Sequence, residues 1–316
     1  MTFLPDATVA RLQAVATWPE FVTDRYVVTG EIGRGGMGAV YLAQDELLGR
    51  EVAIKVSNAI GSEGIERTLQ REARILARLE HPGIIPIHDV GRLADGRLFY
   101  VMKRVRGVTL REHLGDVPSQ GERLRTFERI CDAIRFAHAH GVVHRDLTPD
   151  NIMVGEFGEV LVLDWGLALI PDGRRDEAAR VAGTRGFMAP EQASGGGAHV
   201  TPRADVFGLG AILYVLLAEA PPPEDRAMLF AGVTSVARPL RAICEKALAP
   251  DPESRYDSVQ SLALDVARFR AGEAVEAHRE SAFDRAARFG RTYRTPILLV
   301  LAYVVMRALV AWFGGR

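Results

Sequence analysis

"HRDLTPDN", residues 144–151, sets two aspartates, a threonine and an asparagine in eight positions between apolar runs. "VV" precedes it and "IMV" follows it, and "VLVLDWG" at 160–166 then closes a third apolar run with Asp164. On its own either Asp146 or Asp164 reads as a turn or cap residue. Two such turns, each beside a short β-prone run, argue for a built site.

Upstream, from about Tyr26 to Arg104, the chain is strand-like. "YVVTGEIGRG", "GAVYLAQD", "EVAIKV" and "RLFYVMK" are β-rich runs separated by glycine or charged turns. One helical stretch interrupts them, "SEGIERTLQREARILARLE" at 62–80, with Ile65, Leu69, Ile75, Leu76 and Leu79 as its apolar stripe. From Thr109 onward helices dominate. "LRTFERICDAIRFAHAHG" ends at Gly141, a favoured residue just past a helix. "DVFGLGAILYVLLAEA" at 205–220 is apolar nearly all round, as a buried helix is, and stops at three prolines. A small β-rich lobe followed by a larger helical lobe is the expected architecture.

"GRGGMGAVY" at 33–41 places Gly33, Gly35 and Gly38 in a G-x-G-x-x-G spacing. Glycine lets a backbone approach phosphate closely. A dinucleotide fold opens a helix at the third glycine, whereas "AVYLA" here is β-prone and favours a hairpin over phosphates. Lys55, ending "VAIK", follows at a distance that places it beneath such a hairpin. A buried lysine needs a carboxylate to stay charged and oriented, and Glu72 in "QREARIL" is the best candidate. Glu63 and Glu66 read as solvated charges.

Taken together, Gly33/Gly35/Gly38, Lys55, Glu72, "HRDLTPDN", "LDWG" and "APE" at 189–191 occur in the order of the protein-kinase signature set. Residues of about 26–272 resemble the eukaryotic-like (Hanks-type) serine/threonine protein kinases of bacteria. The resemblance implies an α+β, bilobal protein-kinase-like fold, with a small lobe at 26–104 and a large lobe at 105–272. It implies ATP and Mg²⁺ as cofactors, Mn²⁺ being an alternative ion, and protein serine or threonine hydroxyls as acceptors. Asp146 would accept the acceptor's proton, and Asn151 and Asp164 would hold the metal. Ile32, Gly33, Arg34, Gly35, Gly36, Met37 and Gly38 would cover the phosphates. Val40, Ala53 and Met153 would enclose the adenine, whose polar edge would meet the linker at Lys103 and Val105 beside Met102. Lys103 and Arg104 stand where family members often carry an acidic and an aromatic residue. Glu191 resembles the glutamate that pairs with an arginine, here Arg255, and Asp205 the aspartate that anchors the catalytic loop. His144 and Trp165 read as packing residues. A nucleotide-binding scaffold without catalysis and a small-molecule kinase of related fold are the other readings.

Two positions depart from the family. Thr148 replaces a lysine that contacts the γ-phosphate and the residue here numbered Thr184. Losing one preorganised donor costs on the order of 10²–10³ in rate, which slows such an enzyme without abolishing it. Arg185, next to Thr184, is the expected substitute cation, and Thr148→Lys is expected to raise kcat unless neighbours fill the space. Residues 167–183 contain no serine, threonine or tyrosine, so activation without phosphorylation of that loop is expected; Asp176 or Glu177 either serves Arg145 as a carboxylate or stands with Arg174, Arg175 and Arg180 in a solvated loop.

The 316 residues are 48% apolar and 25% charged with a formal charge of −1, which gives no reason to expect nucleic-acid binding. Cys131 and Cys244 lie in apolar helical patterns and read as core residues, not as a disulfide or zinc site. No secretory signal opens the chain, and residues 1–25 read as a loosely tethered extension. At the other end, "PILLVLAYVVMRALVAWF" at 296–313 follows a basic segment at 273–295. That pattern predicts a transmembrane helix, short for a ~30 Å bilayer core, in the inner membrane with the kinase part cytoplasmic. A cytoplasmic protein is the alternative. The substrate is not legible, and homodimerisation is left open.

Overall fold

The glycine-punctuated runs at the start of the chain pair as an antiparallel sheet. Its strands are β1 (Tyr26–Arg34), β2 (Gly38–Asp45), β3 (Arg50–Ser57), β4 (Ile87–Arg92) and β5 (Leu98–Lys103), in the order β1-β2-β3-β5-β4. The computed structural model describes residues 18–35, 38–58, 63–115, 119–169, 184–194, 201–278 and 294–314, with side chains in the last stretch at 298–307 and 312. β4 is the one strand of this sheet that the sequence reading missed. It is an edge strand whose residues alternate between half-buried and exposed, so its apolar signal is weak. Helix α1 (Glu63–Leu76) buries Leu69, Ala73, Ile75 and Leu76.

The second lobe is mostly helical: α2 (Leu110–His113), α3 (Gln120–Ala139), α4 (Pro190–Ala193), α5 (Arg203–Ala218), α6 (Arg238–Ala247) and α7 (Val259–Ala271). Three short strands, β6 (Gly107–Thr109), β7 (Ile152–Gly155) and β8 (Val160–Val162), form a small sheet in the order β6-β7-β8. As its all-round apolar sequence demands, α5 is buried at every residue from Ala204 to Leu217. A Cβ at Gly210 would sit 2.8 Å from the Ala247 Cβ, so glycine is what lets α5 and α6 approach. Cys131 and Cys244 are free and fully buried, and burial pushes both thiols up.

Residues on either side of the expected domain pack onto it. The extension is not loose at 18–25. Phe21 stacks edge-on against Phe99 at 4.9 Å and packs on Tyr26 at 5.7 Å, and the Ala94 N–H donates to the Glu20 carbonyl at 3.0 Å. Beyond α7, residues 273–277 still belong to the large lobe. The buried Asp265 carboxylate accepts the Glu276 N–H at 2.6 Å, the Ala277 N–H at 3.0 Å and the Tyr256 hydroxyl at 2.7 Å, and Val275 is buried.

The expected transmembrane helix is not met as a span. Residues 294–314 do form one helix, α8, but among the described residues no helix is long and apolar enough to cross a membrane. The described side chains of α8 are those at 298–307 and 312. Those that are large and apolar are exposed.

Candidate active site

The pairing of β7 with β8 explains why two separate loop residues meet. Ile152 faces Val162 in the register, and the Leu163 N–H donates to the Asn151 carbonyl at 2.8 Å. Asn151, opposite Leu163, and Asp164, one residue further on, are thereby brought to the same end of the small sheet. Asp164 takes a positive φ of 52°, and Arg145 one of 71°. Non-glycine residues adopt such angles at a cost and only where the surroundings enforce them. Here Asp205 does so for the loop: its carboxylate accepts the backbone N–H groups of His144 and Arg145, both at 2.8 Å. His138 on α3 donates or shares a proton with the same carboxylate at 2.7 Å. Burial pushes Asp205 up, but the His138 contact and the backbone donors outweigh it and hold the carboxyl below its ordinary value.

Asp146 is fixed from two sides. Its Oδ1 accepts the N–H and the hydroxyl of Thr184, both at 3.2 Å, and its Oδ2 accepts the Asn151 side-chain amide at 3.1 Å. The same amide also donates to the Asp146 carbonyl at 2.9 Å. Among the described residues nothing donates to the Asn151 carboxamide oxygen.

Lys55 is the link to the small lobe. Its Nζ lies 2.8 and 2.9 Å from the two Glu72 oxygens and 3.2 Å from Asp164 Oδ1. Burial pushes the ammonium down, yet the two carboxylates outweigh it and hold Lys55 charged. For Glu72, at 1% exposure, burial is the larger influence and pushes its carboxyl up against the pull of Lys55. For Asp164, burial is outweighed by Lys55 and the carboxyl lies below its ordinary value. Tyr100, which the sequence reading did not single out, donates its hydroxyl to Glu72 Oε1 at 2.9 Å. No motif marks it: its place opposite Lys55 in the β3–β5 register is what aims it there.

These groups line one cleft of about 760 Å³ between the lobes, with Gly33, Arg34, Gly35, Gly38, Val40, Met102, Asp150 and Leu163 around them. A Cβ on Gly38 would come within 2.4 Å of the Val56 carbonyl, so this glycine lets β2 lie tightly on β3. Gly33 and Gly35 have open space at their Cβ positions, as a loop that covers a ligand requires. Gly36 and Met37 lie outside the described residues. Ile32 is more than half exposed and outside the lining; the buried Ala53 and the half-buried Val105 and Met153 lie outside the lining too. Leu163 and Ile85, which the sequence reading did not name, also line the cleft. The Lys103 N–H is occupied by the Pro86 carbonyl at 3.1 Å, so it cannot serve a base edge. Arg104 and Arg106 both pair with Glu51 on β3, and the Arg106 hydrogen bond is the chief cause that lowers the Glu51 carboxyl.

Thr148 is 2% exposed, and its hydroxyl caps the turn at 149–151 by accepting the Asn151 N–H at 3.3 Å. Arg185 is exposed and has no ion-pair partner among the described residues. Asp176 and Glu177 lie outside the described residues. Arg255, with a fully buried guanidinium, makes two hydrogen bonds of 2.7 and 2.8 Å to Glu191 and further ones to the Ala249, Pro250 and Arg203 carbonyls. His144 stacks on the buried Trp165 at 4.5 Å, so both are packing residues.

Among the described residues no group of three His, Cys, Asp or Glu side chains forms a self-sufficient metal site. Two oxygen donors, Asp164 and Asn151, beside a cleft with room for phosphates suit Mg²⁺, which takes few protein ligands and completes its shell from substrate and water.

Comparison with known proteins agrees with this geometry. The Protein kinase domain family matches residues 26–266. The serine/threonine-protein kinase PknD of Protochlamydia amoebophila is 35% identical over 79% of this chain and 30% of its own length. PknB of Mycobacterium tuberculosis, also named a serine/threonine-protein kinase, is 35% identical over 83% of the chain and 45% of its own. The DNA damage-responsive serine/threonine-protein kinase RqkA of Deinococcus radiodurans is 39% identical over 66% and 32%. The chain thus spans less than half the length of each of these relatives.

Proposed function

Since the chain belongs to the protein kinase domain family, we propose that it transfers the γ-phosphate of ATP to serine or threonine hydroxyls of proteins. The observation that carries this is the convergence of Lys55, Asp146, Asn151 and Asp164 on one cleft, with Glu72 paired to Lys55. Asp146 holds a fixed carboxylate, oriented by Thr184 and Asn151, at which the acceptor hydroxyl is aligned and gives up its proton. Lys55, kept charged by two carboxylates, pairs with phosphate oxygens. Asn151 and Asp164 offer oxygen donors for Mg²⁺ or Mn²⁺, which when bound supplies charge neutralisation on the phosphates. The Glu191–Arg255 pair supports the protein-substrate platform.

Incubating the purified chain with labelled ATP, Mg²⁺ and a generic protein substrate tests this, with Asp146→Asn as control. Label on serine or threonine with the wild type alone supports transfer. Nucleotide binding with no label in either sample overturns it and leaves a scaffold.

Attachment to a membrane through residues 294–314 is a separate proposal, supported by the exposed apolar side chains of α8 from Leu298 to Met306. Recovery of the expressed chain in the carbonate-soluble fraction overturns it in favour of a cytoplasmic protein.

A further inference from the structure

A second cleft, of about 680 Å³, opens between α3 and the turn joining β7 to β8, and shares no lining residue with the nucleotide cleft. Its cations are Lys103 from the linker and Arg129 and Arg135 from α3. Lys103 has no ion-pair partner among the described residues. Arg129 donates to the Gly158 carbonyl. Arg135 meets Asp132 at 3.3 Å, with both side chains more than half exposed. Such a surface pair is worth little and is readily exchanged for another carboxylate. The remaining acid, Glu159, also lines the cleft, with one carboxylate oxygen accepting the Phe157 N–H at 3.2 Å. His81 faces the cleft as well, and burial holds its imidazole below the ordinary value, so it adds no charge near neutral pH.

At the rim stands Phe157, 94% exposed, the most exposed of the large apolar side chains described. Its turn is braced: the Gly155 N–H donates to the Glu159 carbonyl at 2.8 Å, and the Gly158 N–H to the Gly155 carbonyl at 2.9 Å. An aromatic ring held out on a rigid turn beside a cationic cleft is an anchor of the kind that protein interfaces use.

We propose that this cleft docks an acidic peptide segment of the protein substrate that carries an apolar residue. Its carboxylates are taken by Arg135 and Lys103, and its apolar side chain covers Phe157. The proposal deepens the protein-kinase reading, because a docking segment away from the modified hydroxyl raises the local concentration of that hydroxyl.

The test is fluorescence anisotropy with the full chain, saturated with ADP and Mg²⁺, and a fluorescein-labelled peptide of sequence DELDLE. The matching peptide with lysine in place of every acid is the control. The acidic peptide is expected to bind in the presence of the nucleotide, more weakly as salt rises. Arg135→Glu and Phe157→Ala, both exposed positions, are each expected to weaken it by about tenfold or more. Absence of binding, equal binding of the lysine peptide, displacement by nucleotide, or variants with wild-type affinity each overturn it. With the segment fused to a phosphorylatable peptide, KM is expected to fall about tenfold at unchanged kcat, and Arg135→Glu to cancel the gain. If the binding pattern holds while no phosphate is transferred, the docking cleft stands and the kinase reading fails.

Discussion

The hydroxyl of Thr148 lies under the backbone of Asn151 and accepts its N–H at 3.3 Å. At 2% exposure it is a cap that seats Asn151, the proposed metal ligand, and the space around it is filled. A gain from Thr148→Lys is therefore no longer expected. Thr148→Val, which keeps the volume and removes the acceptor, is expected to cost about 1 kcal/mol of stability. It should also raise the Mg²⁺ concentration needed for half-maximal activity, while Thr148→Ser retains both. Thermal melts and a Mg²⁺ titration of the rate distinguish the two variants.

Lys55→Met leaves Glu72 buried without its cation. Breaking a buried pair in this way costs roughly 3–5 kcal/mol, and loss of the phosphate contact should lower kcat by about 10²–10³. Burial already pushes Glu72 up. A carboxyl whose folded pKa lies above its unfolded one binds more protons when folded, so stability falls as pH rises. The melting-temperature gap between variant and wild type is expected to be wider at about pH 8 than at about pH 5.

Asp205 has the opposite sign. Its carboxyl is held below the ordinary 3.8 of an aspartate, so it binds fewer protons folded than unfolded. The stability it contributes is full above that ordinary value and is lost as pH falls through the lower, folded one. Asp205→Asn is expected to destabilise by roughly 1–3 kcal/mol near neutrality and to flatten the acid limb of the stability curve below about pH 4. Urea unfolding across that range reads both effects.

Arg255→Met removes a fully buried guanidinium from Glu191 and from three carbonyls. The expected loss is roughly 3–5 kcal/mol, or about 2–4 °C of melting temperature for each kcal/mol in a domain of this size. ATP affinity of the protein that remains folded should be unchanged, since Arg255 lies outside the nucleotide cleft. Differential scanning fluorimetry with and without nucleotide checks the pair of outcomes.

Residues whose chemistry demands a fixed spacing were legible in the sequence. Lys55, Asp146, Asn151 and Asp164 meet in one cleft, Glu72 pairs with Lys55, and Asp205 and Glu191–Arg255 take their expected partners. What escaped was set by three-dimensional register. Tyr100 reaches Glu72 only because β5 pairs with β3, and Leu163 lines the cleft because β8 delivers it there. At Thr148 a comparison of residue types shows the absent charge, while the cap on Asn151 shows only in the structure. The weakly patterned β4 and the docked stretches at 18–25 and 273–277 carry few apolar residues each, so periodicity had little to register.

Asp265 also bears on how the chain can be cut. A fragment ending at residue 272 would retain this buried carboxylate and the Tyr256 hydroxyl but discard the Glu276 and Ala277 N–H donors. Lys246 would lose its contact with Glu276 in the same cut. A shortened protein that melts early would then report a severed brace at the end of α7, not a weak catalytic fold, and the smallest faithful fragment extends at least to Ala277.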